Sequence, residues 1–281
     1  MFYRLLFLLS IISPFILSAQ IATEIKLEPA LISVIYERRM EYDTLNRNNK
    51  VRINTLTLKA GKNHSAFYDA RLKWIDSMEY INDDYIHSLY EGVKYYSTKG
   101  ALHQIKLFKN YPEGKIRIHD AFDLCRWHID EDIEKPEWNI IADSTTNILG
   151  YECMLAVARF RGREWHAWFS PEIPFPDGPW KLWGLPGLIL KAYDSNQDYI
   201  FTAQEISDKN TGYVEYFDYA PPPTFTTSRR KALQRKWKAY QEDISYKVAM
   251  SGMLGDTKLN VKKREIPPPK YDFEETDYSH E

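Results

Sequence analysis

The sequence predicts an α+β protein: one large curved antiparallel sheet of about ten strands, carrying two main helices. Three observations point there. Short runs of alternating or fully apolar residues recur along the chain between turn residues. Their connections are short, which favours antiparallel pairing. Two long stretches alone carry an apolar stripe at helical spacing.

The elements follow in order. Met1 to Ala19 reads as a secretory signal. Arg4 supplies the positive start, and Leu5 to Leu17 is apolar except for Ser10, Ser13 and Pro14. Ser18-Ala19 offers small residues for cleavage before Gln20. That run is shorter than the roughly 20 residues a membrane span needs. The first cysteine is Cys125, so none stands near the cut to take a lipid. The expected product is periplasmic or secreted, with no transmembrane anchor. Residues 20–260 form one domain, and 261–281 a Pro-rich acidic tail expected to be loose.

Strands are expected at Leu31–Tyr42, Val51–Leu58 and His64–Tyr68, a meander. Trp74, Met78, Ile81, Tyr85 and Leu89 then mark a helix that stops near Gly92. Strands resume at Val93–Tyr96, Gln104–Phe108, Lys115–His119, Asp123–Ile129 and Trp138–Ala142. One long strand is expected from Ile148 to Phe160. Arg161-Gly162-Arg163 turns it into Glu164–Phe169. Leu188–Tyr193 and Tyr199–Ile206 make another hairpin. A final helix runs from about Ser228 to Met250, burying Leu233, Trp237, Tyr240, Ile244 and Val248. This element order is similar to the lipoprotein-carrier half-barrel.

Leu185-Pro186-Gly187-Leu188 has Pro and Gly where a type II turn needs them, so Gly187 is expected at positive φ. Gly184, Pro186 and Gly187 form a structural turn, flanked by Trp180 and Trp183. One reading is a packed corner. The other is an exposed, tryptophan-lined docking loop. Beside it, Arg161, Arg163, Trp165 and Trp168 share a hairpin. They form either cation–π pairs within the fold or an aromatic-lined binding edge. Arg229, Arg230, Lys231, Arg235, Lys236 and Lys238 make the last helix basic at its start, against its own dipole. They form a solvated face, answer the acidic tail or meet an anionic surface.

The net charge of −2 argues against nonspecific nucleic-acid binding. Cys125 and Cys153 are a candidate disulfide for an oxidising compartment, worth roughly 3–4 kcal/mol in the chain-entropy model. Pairing requires their strands to be neighbours; otherwise they are inert buried thiols. Seven histidines are scattered, with no helix-face pair and no compact metal spacing. His119 and His128 flank a turn and can meet in space, a metal pair there being the minor reading. Asp130, Glu131, Asp132 and Glu134 read as a solvated loop. No nucleophile elbow, phosphate loop or dinucleotide fingerprint occurs. No catalytic residue, metal or cofactor is therefore assigned.

Leu149-Gly150-Tyr151-Glu152-Cys153, Phe160-Arg161-Gly162-Arg163, Trp165-x-x-Trp168-Phe169, Asp177-Gly178-Pro179-Trp180 and Gly184 to Leu190 resemble the GLPGLI family of exported Bacteroidota-type proteins. The likeness runs from about Trp138 to Asp194. It implies a secreted protein with no assigned reaction, so it carries no catalytic residue over. The functional expectation is a non-enzymatic binding or carrier protein of the bacterial envelope, its partner a lipid, peptide or outer-membrane protein. The alternatives are an unrecognised periplasmic hydrolase and a structural accessory of an outer-membrane transporter.

Overall fold

The computed structural model describes residues 23–41, 47, 51–81, 105–122, 125–218, 224–241 and 275–277. The signal-like stretch 1–19, the strand expected at 93–96, the helical stripe beyond residue 81 and most of 261–281 lie outside them. No described helix is long and apolar enough to cross a membrane.

The chain is mostly β. Strands β1 (Thr23–Pro29) and β13 (Tyr213–Asp218) form a two-stranded antiparallel sheet. Among the described residues, twelve strands form the main sheet. They are β2 (Ile32–Glu41), β3 (Val51–Ala60), β4 (Ser65–Tyr68), β5 (Lys106–Lys109), β6 (Lys115–Phe122) and β7 (Cys125–Asp132). The rest are β8 (Asn139–Ile148), β9 (Tyr151–Phe160), β10 (Arg163–Ser170), β11 (Leu188–Asp194), β12 (Tyr199–Ser207) and β14 (Thr224–Ser228). Their order is β14-β7-β6-β5-β4-β3-β2-β12-β11-β10-β9-β8, with edges at β14 and β8 that do not close into a barrel. Helix α1 (Ala70–Ile81) follows β4, and α2 (Arg229–Gln241) follows β14.

The alternation written in the strands fixes which face is inside. On β2, Ile32, Val34, Tyr36 and Met40 point into the main core; on β10, Trp165, Ala167 and Phe169 do. β4 and β5 are buried at every position because both of their faces are covered. Phe67 and Leu107 face the main core. Ala66, Tyr68 and Phe108 face Val214, Tyr216 and Phe217 of the small sheet. The chain therefore holds two apolar layers, one on each side of these central strands. Asp69 caps α1, its carboxylate accepting from the Arg71 amide at 3.0 Å.

Several expectations need correction. The strand expected from Ile148 to Phe160 is β8 and β9 joined at Leu149-Gly150, whose φ values are 54° and 88°. Arg161-Gly162 repeats that geometry at 54° and 83°. Two successive positive φ values are the signature of the twist-matched hairpin turn. The sheet is mixed, because β14 runs parallel to β7. Trp74, expected on the buried stripe of α1, is 51% exposed, whereas Leu72 is buried; the side chains of Met78 and Ile81 lie outside the described residues. β8 pairs β9 with a break between Ile141 and Thr145 that leaves Ala142, Asp143 and Ser144 without partners in the register.

The two cysteines are free. Cys125 lies on β7 and Cys153 on β9, near opposite ends of the strand order, so the neighbouring strands that pairing requires are not there. Burial pushes the Cys153 thiol up to about 11, and the thiolate is the reactive form. Alkylation of the native protein at pH 8 is therefore expected to label Cys125 and spare Cys153. Mass spectrometry after trypsin checks this, and equal labelling of both thiols contradicts it.

Candidate functional site

Residues 171–187 join β10 to β11; Pro171, Glu172, Pro174 and Pro176 lie at the surface as connections usually do, but residues 178–182 and Leu185 turn inward. Trp180, Leu182 and Leu185 are buried in the main core. A buried connection has to satisfy its own backbone, and this one does. Leu188 N donates to Ile173 O at 3.0 Å, Ile189 N to Asp177 O at 3.0 Å, and Gly184 N to Pro176 O at 3.0 Å. The Tyr36 hydroxyl donates to Ile189 O at 2.6 Å. Two tryptophans staple the loop to residues 133–138: Trp138 Nε1 donates to Trp183 O at 2.8 Å, and Trp183 Nε1 to Glu134 O at 3.2 Å.

Glycine is needed here for a different reason from the one the type II reading gives. Gly187 is not at positive φ; Gly184 is, at 89°. A Cβ on Gly187 would lie 2.1 Å from Ser170 O, against backbone that cannot rotate aside.

The hairpin arginines are spent inside the fold. Arg163 is buried, its Nη1 donating to Asp194 at 2.9 Å and to Asp198 at 3.1 Å, with its guanidinium over the Tyr199 ring at 4.8 Å. Arg161 lies over Phe160 at 5.0 Å and pairs with Glu134 at 3.0 Å. The cation–π partners are thus Tyr199 and Phe160 rather than tryptophan. Trp165 is fully buried against Trp180, while Trp168 is half-buried at the core's margin.

Next to the loop lies a buried ionic cage. Lys181 is 1% exposed and pairs with Glu131 at 2.6 Å and with Glu275. Arg229, the first residue of α2, pairs with Glu275 and Asp277. Glu131, expected in a solvated loop, is buried because Lys181 and Arg229 need a counter-charge there. The described residues of the acidic tail are docked. Thr276 N donates to Arg161 O at 2.9 Å, and Thr276 lies so close to Gly162 that a Cβ there would meet its Oγ1 at 2.4 Å. Burial opposes ionisation of Glu275, but Lys181 and Arg229 outweigh it and hold its carboxyl below the ordinary range. The two carboxylates at the start of α2 also offset the unfavourable cation on the helix dipole.

A cavity of about 40 Å³ lies inside the cage, between Leu107, Ile118, Trp180, Leu233 and Glu275. An open cleft of about 300 Å³ lies outside it, lined by Arg163, Glu164, Asp194, Asn196 and Thr276. The segment Glu275-Thr276 thus separates the two.

On the far face of the sheet, His119 and His128 sit directly opposite each other on β6 and β7. Their rings stack with centroids 4.2 Å apart. Asp218, at the end of β13, pairs with His128 Nε2 at 2.9 Å. Burial and the Lys106 cation keep the His119 imidazole well below its ordinary pKa, hence neutral. Sequence spacing did not single out this trio, because Asp218 comes from the other sheet.

Comparison with known proteins adds little on activity. A family model described as "Protein of unknown function (Porph_ging)" matches residues 161–191, which span the hairpin turn, β10, the buried loop and the start of β11. No curated protein sequence matches the chain. Two solved structures of PNGF-II match, in the P21 space group at 12% identity with a TM-score of 0.44, and in C2 at 13% with 0.46. Each match covers 74% of this chain, and this chain spans 33% of theirs, about a third of their length.

Proposed function

We propose that this is an exported binding protein of the bacterial envelope, related to the GLPGLI family, that captures an acidic peptide segment in the basic mouth between α2 and the β9–β10 turn. One observation carries the reading: Glu275 is buried between Lys181 and Arg229. The chain's own tail thereby occupies a site built for a carboxylate, and its Thr276 amide adds a strand-like bond to Arg161 O. The cavity size separates a peptide from a lipid. Pockets that swallow small molecules run to roughly 300–1,000 Å³, and the interior space here is about 40 Å³. An acyl chain has no room there, whereas the open outer cleft of about 300 Å³ already has Thr276 of the tail in its wall.

The test is competition between tail and ligand. A fluorescent peptide of residues 271–281 is titrated into the full-length protein and into its Glu275→Gln/Asp277→Asn variant. The variant is expected to bind at least tenfold more tightly, because a tethered occupant competes at an effective concentration in the millimolar range. A peptide carrying Glu275→Gln is expected to bind poorly. Indistinguishable, negligible binding by both proteins sinks the proposal.

A further inference from the structure

We propose that His119, His128 and Asp218 form a binding site for a divalent first-row transition metal ion, zinc foremost. The site lies on the opposite face of the sheet from the tail-docking mouth and does not depend on it.

Three strands bring the donors together. One ligand atom from each residue lies within 4.8 Å of the others. Zinc arms of about 2.0–2.1 Å place tetrahedral ligands about 3.3 Å apart. His128 and Asp218 are already that near, at 2.9 Å. His119 has a ligand atom within 4.8 Å of both, so closing that gap is the movement still needed.

The second observation is His119 itself. It is 5% exposed, and neither ring nitrogen has a hydrogen-bond partner among the described residues. A buried polar group left unsatisfied costs about 1–3 kcal/mol, and such groups call for an explanation. The surrounding rings hold it in place: Phe108 meets it at 5.2 Å and Tyr216 at 5.4 Å, both edge-on. A buried imidazole with both nitrogens unpartnered, one of them within 4.8 Å of a histidine–aspartate pair, has the lone pair a metal ligand requires.

The donor chemistry selects the ion. Two imidazoles and one carboxylate suit zinc, cobalt, nickel or iron, whereas calcium and magnesium take oxygen ligands. Three protein ligands leave a fourth position for water. The opposing charges are limited. Arg117 is neutralised by a two-pronged pair with Asp130, both bonds at 2.7 Å. Lys106 opposes positive charge at His119, and Asp218 favours it. His128 is half-buried and gives the ion a way in.

The untagged full-length protein, stripped with a chelator, is titrated with zinc against a chromophoric competitor. One equivalent is expected at micromolar affinity or tighter. Cobalt is expected to give the visible absorption of a tetrahedral nitrogen–oxygen site. His119→Gln and His128→Gln each lose that equivalent, and His64→Gln keeps it. Where a histidine variant fails to fold by circular dichroism, Asp218→Asn decides: its cobalt band shifts or disappears. Absence of a bound equivalent overturns the proposal. So does an equivalent, or an unaltered cobalt spectrum, that persists in these variants.

Discussion

Gly187→Ala is expected to destabilise the protein by about 3 kcal/mol or more, at the upper end of overpacking effects. The added carbon would lie 2.1 Å from Ser170 O, 2.6 Å from Ser170 C and 3.0 Å from Pro171 Cα. All three atoms belong to main chain that ends β10 and pins the buried loop. Relief requires moving the loop, and with it Leu185 and Leu188 in the core. For a domain of this size the melting temperature should fall by roughly 6–12 °C. Gly212→Ala is the control. Gly212 has φ of 73° and only the end of Lys59 near it, at 3.5 Å, so it should cost about 1 kcal/mol from backbone strain alone. Equal effects would mean that the β10–β11 contact is looser than described.

Lys181→Met is expected to cost about 3 kcal/mol at neutral pH, since it leaves the buried carboxylates of Glu131 and Glu275 with Arg229 as their shared cation. Its pH dependence separates lost charge from lost packing. In the wild type the Glu275 carboxyl is held below its ordinary value. The stability it contributes is present above that ordinary value and is lost as pH falls through the lowered one. In the variant the lysine's share of that lowering is lost while burial still opposes the charge, so the Glu275 carboxyl moves up from its wild-type position and the penalty fades as pH falls through it. Acid should therefore narrow the gap between the two melting curves, and Glu131→Gln in the Lys181→Met background should narrow it at pH 7. A gap unchanged between pH 7 and pH 4 would show that packing, not charge, holds Lys181.

The strands were legible wherever a period of two or a turn dipeptide governs them. The Arg161-Gly162 turn stands where its glycine places it. The Leu149-Gly150 turn was merged into a strand, because leucine at positive φ carries no turn signal. β1, β13 and β14 were missed for a related reason. β1 is nearly all exposed or half-buried and β14 is polar, so neither shows an apolar run. β13 packs one short face on a second core that sequence does not announce.

The candidate sites were less legible still. The turn between His119 and His128 shows that the two can meet but not their register: Phe122 pairs Cys125, which puts His119 opposite His128. Their third partner and the tail's seat on Lys181 depend on contacts between residues far apart in the chain. Local pattern does not encode such contacts.

The register break in β8 bears on how the protein survives at high concentration. A ten-residue edge strand is an open template for another chain. Ile140 and Ile141, both exposed, make this one sticky. The unpartnered Ala142-Asp143-Ser144 divides that edge into Asn139–Ile141 and Thr145–Ile148. An incoming strand meets two short ladders out of phase, with a carboxylate set between them. A bulge of this kind works against strand-on-strand stacking, and removing those residues would leave a longer continuous edge for another chain to pair with.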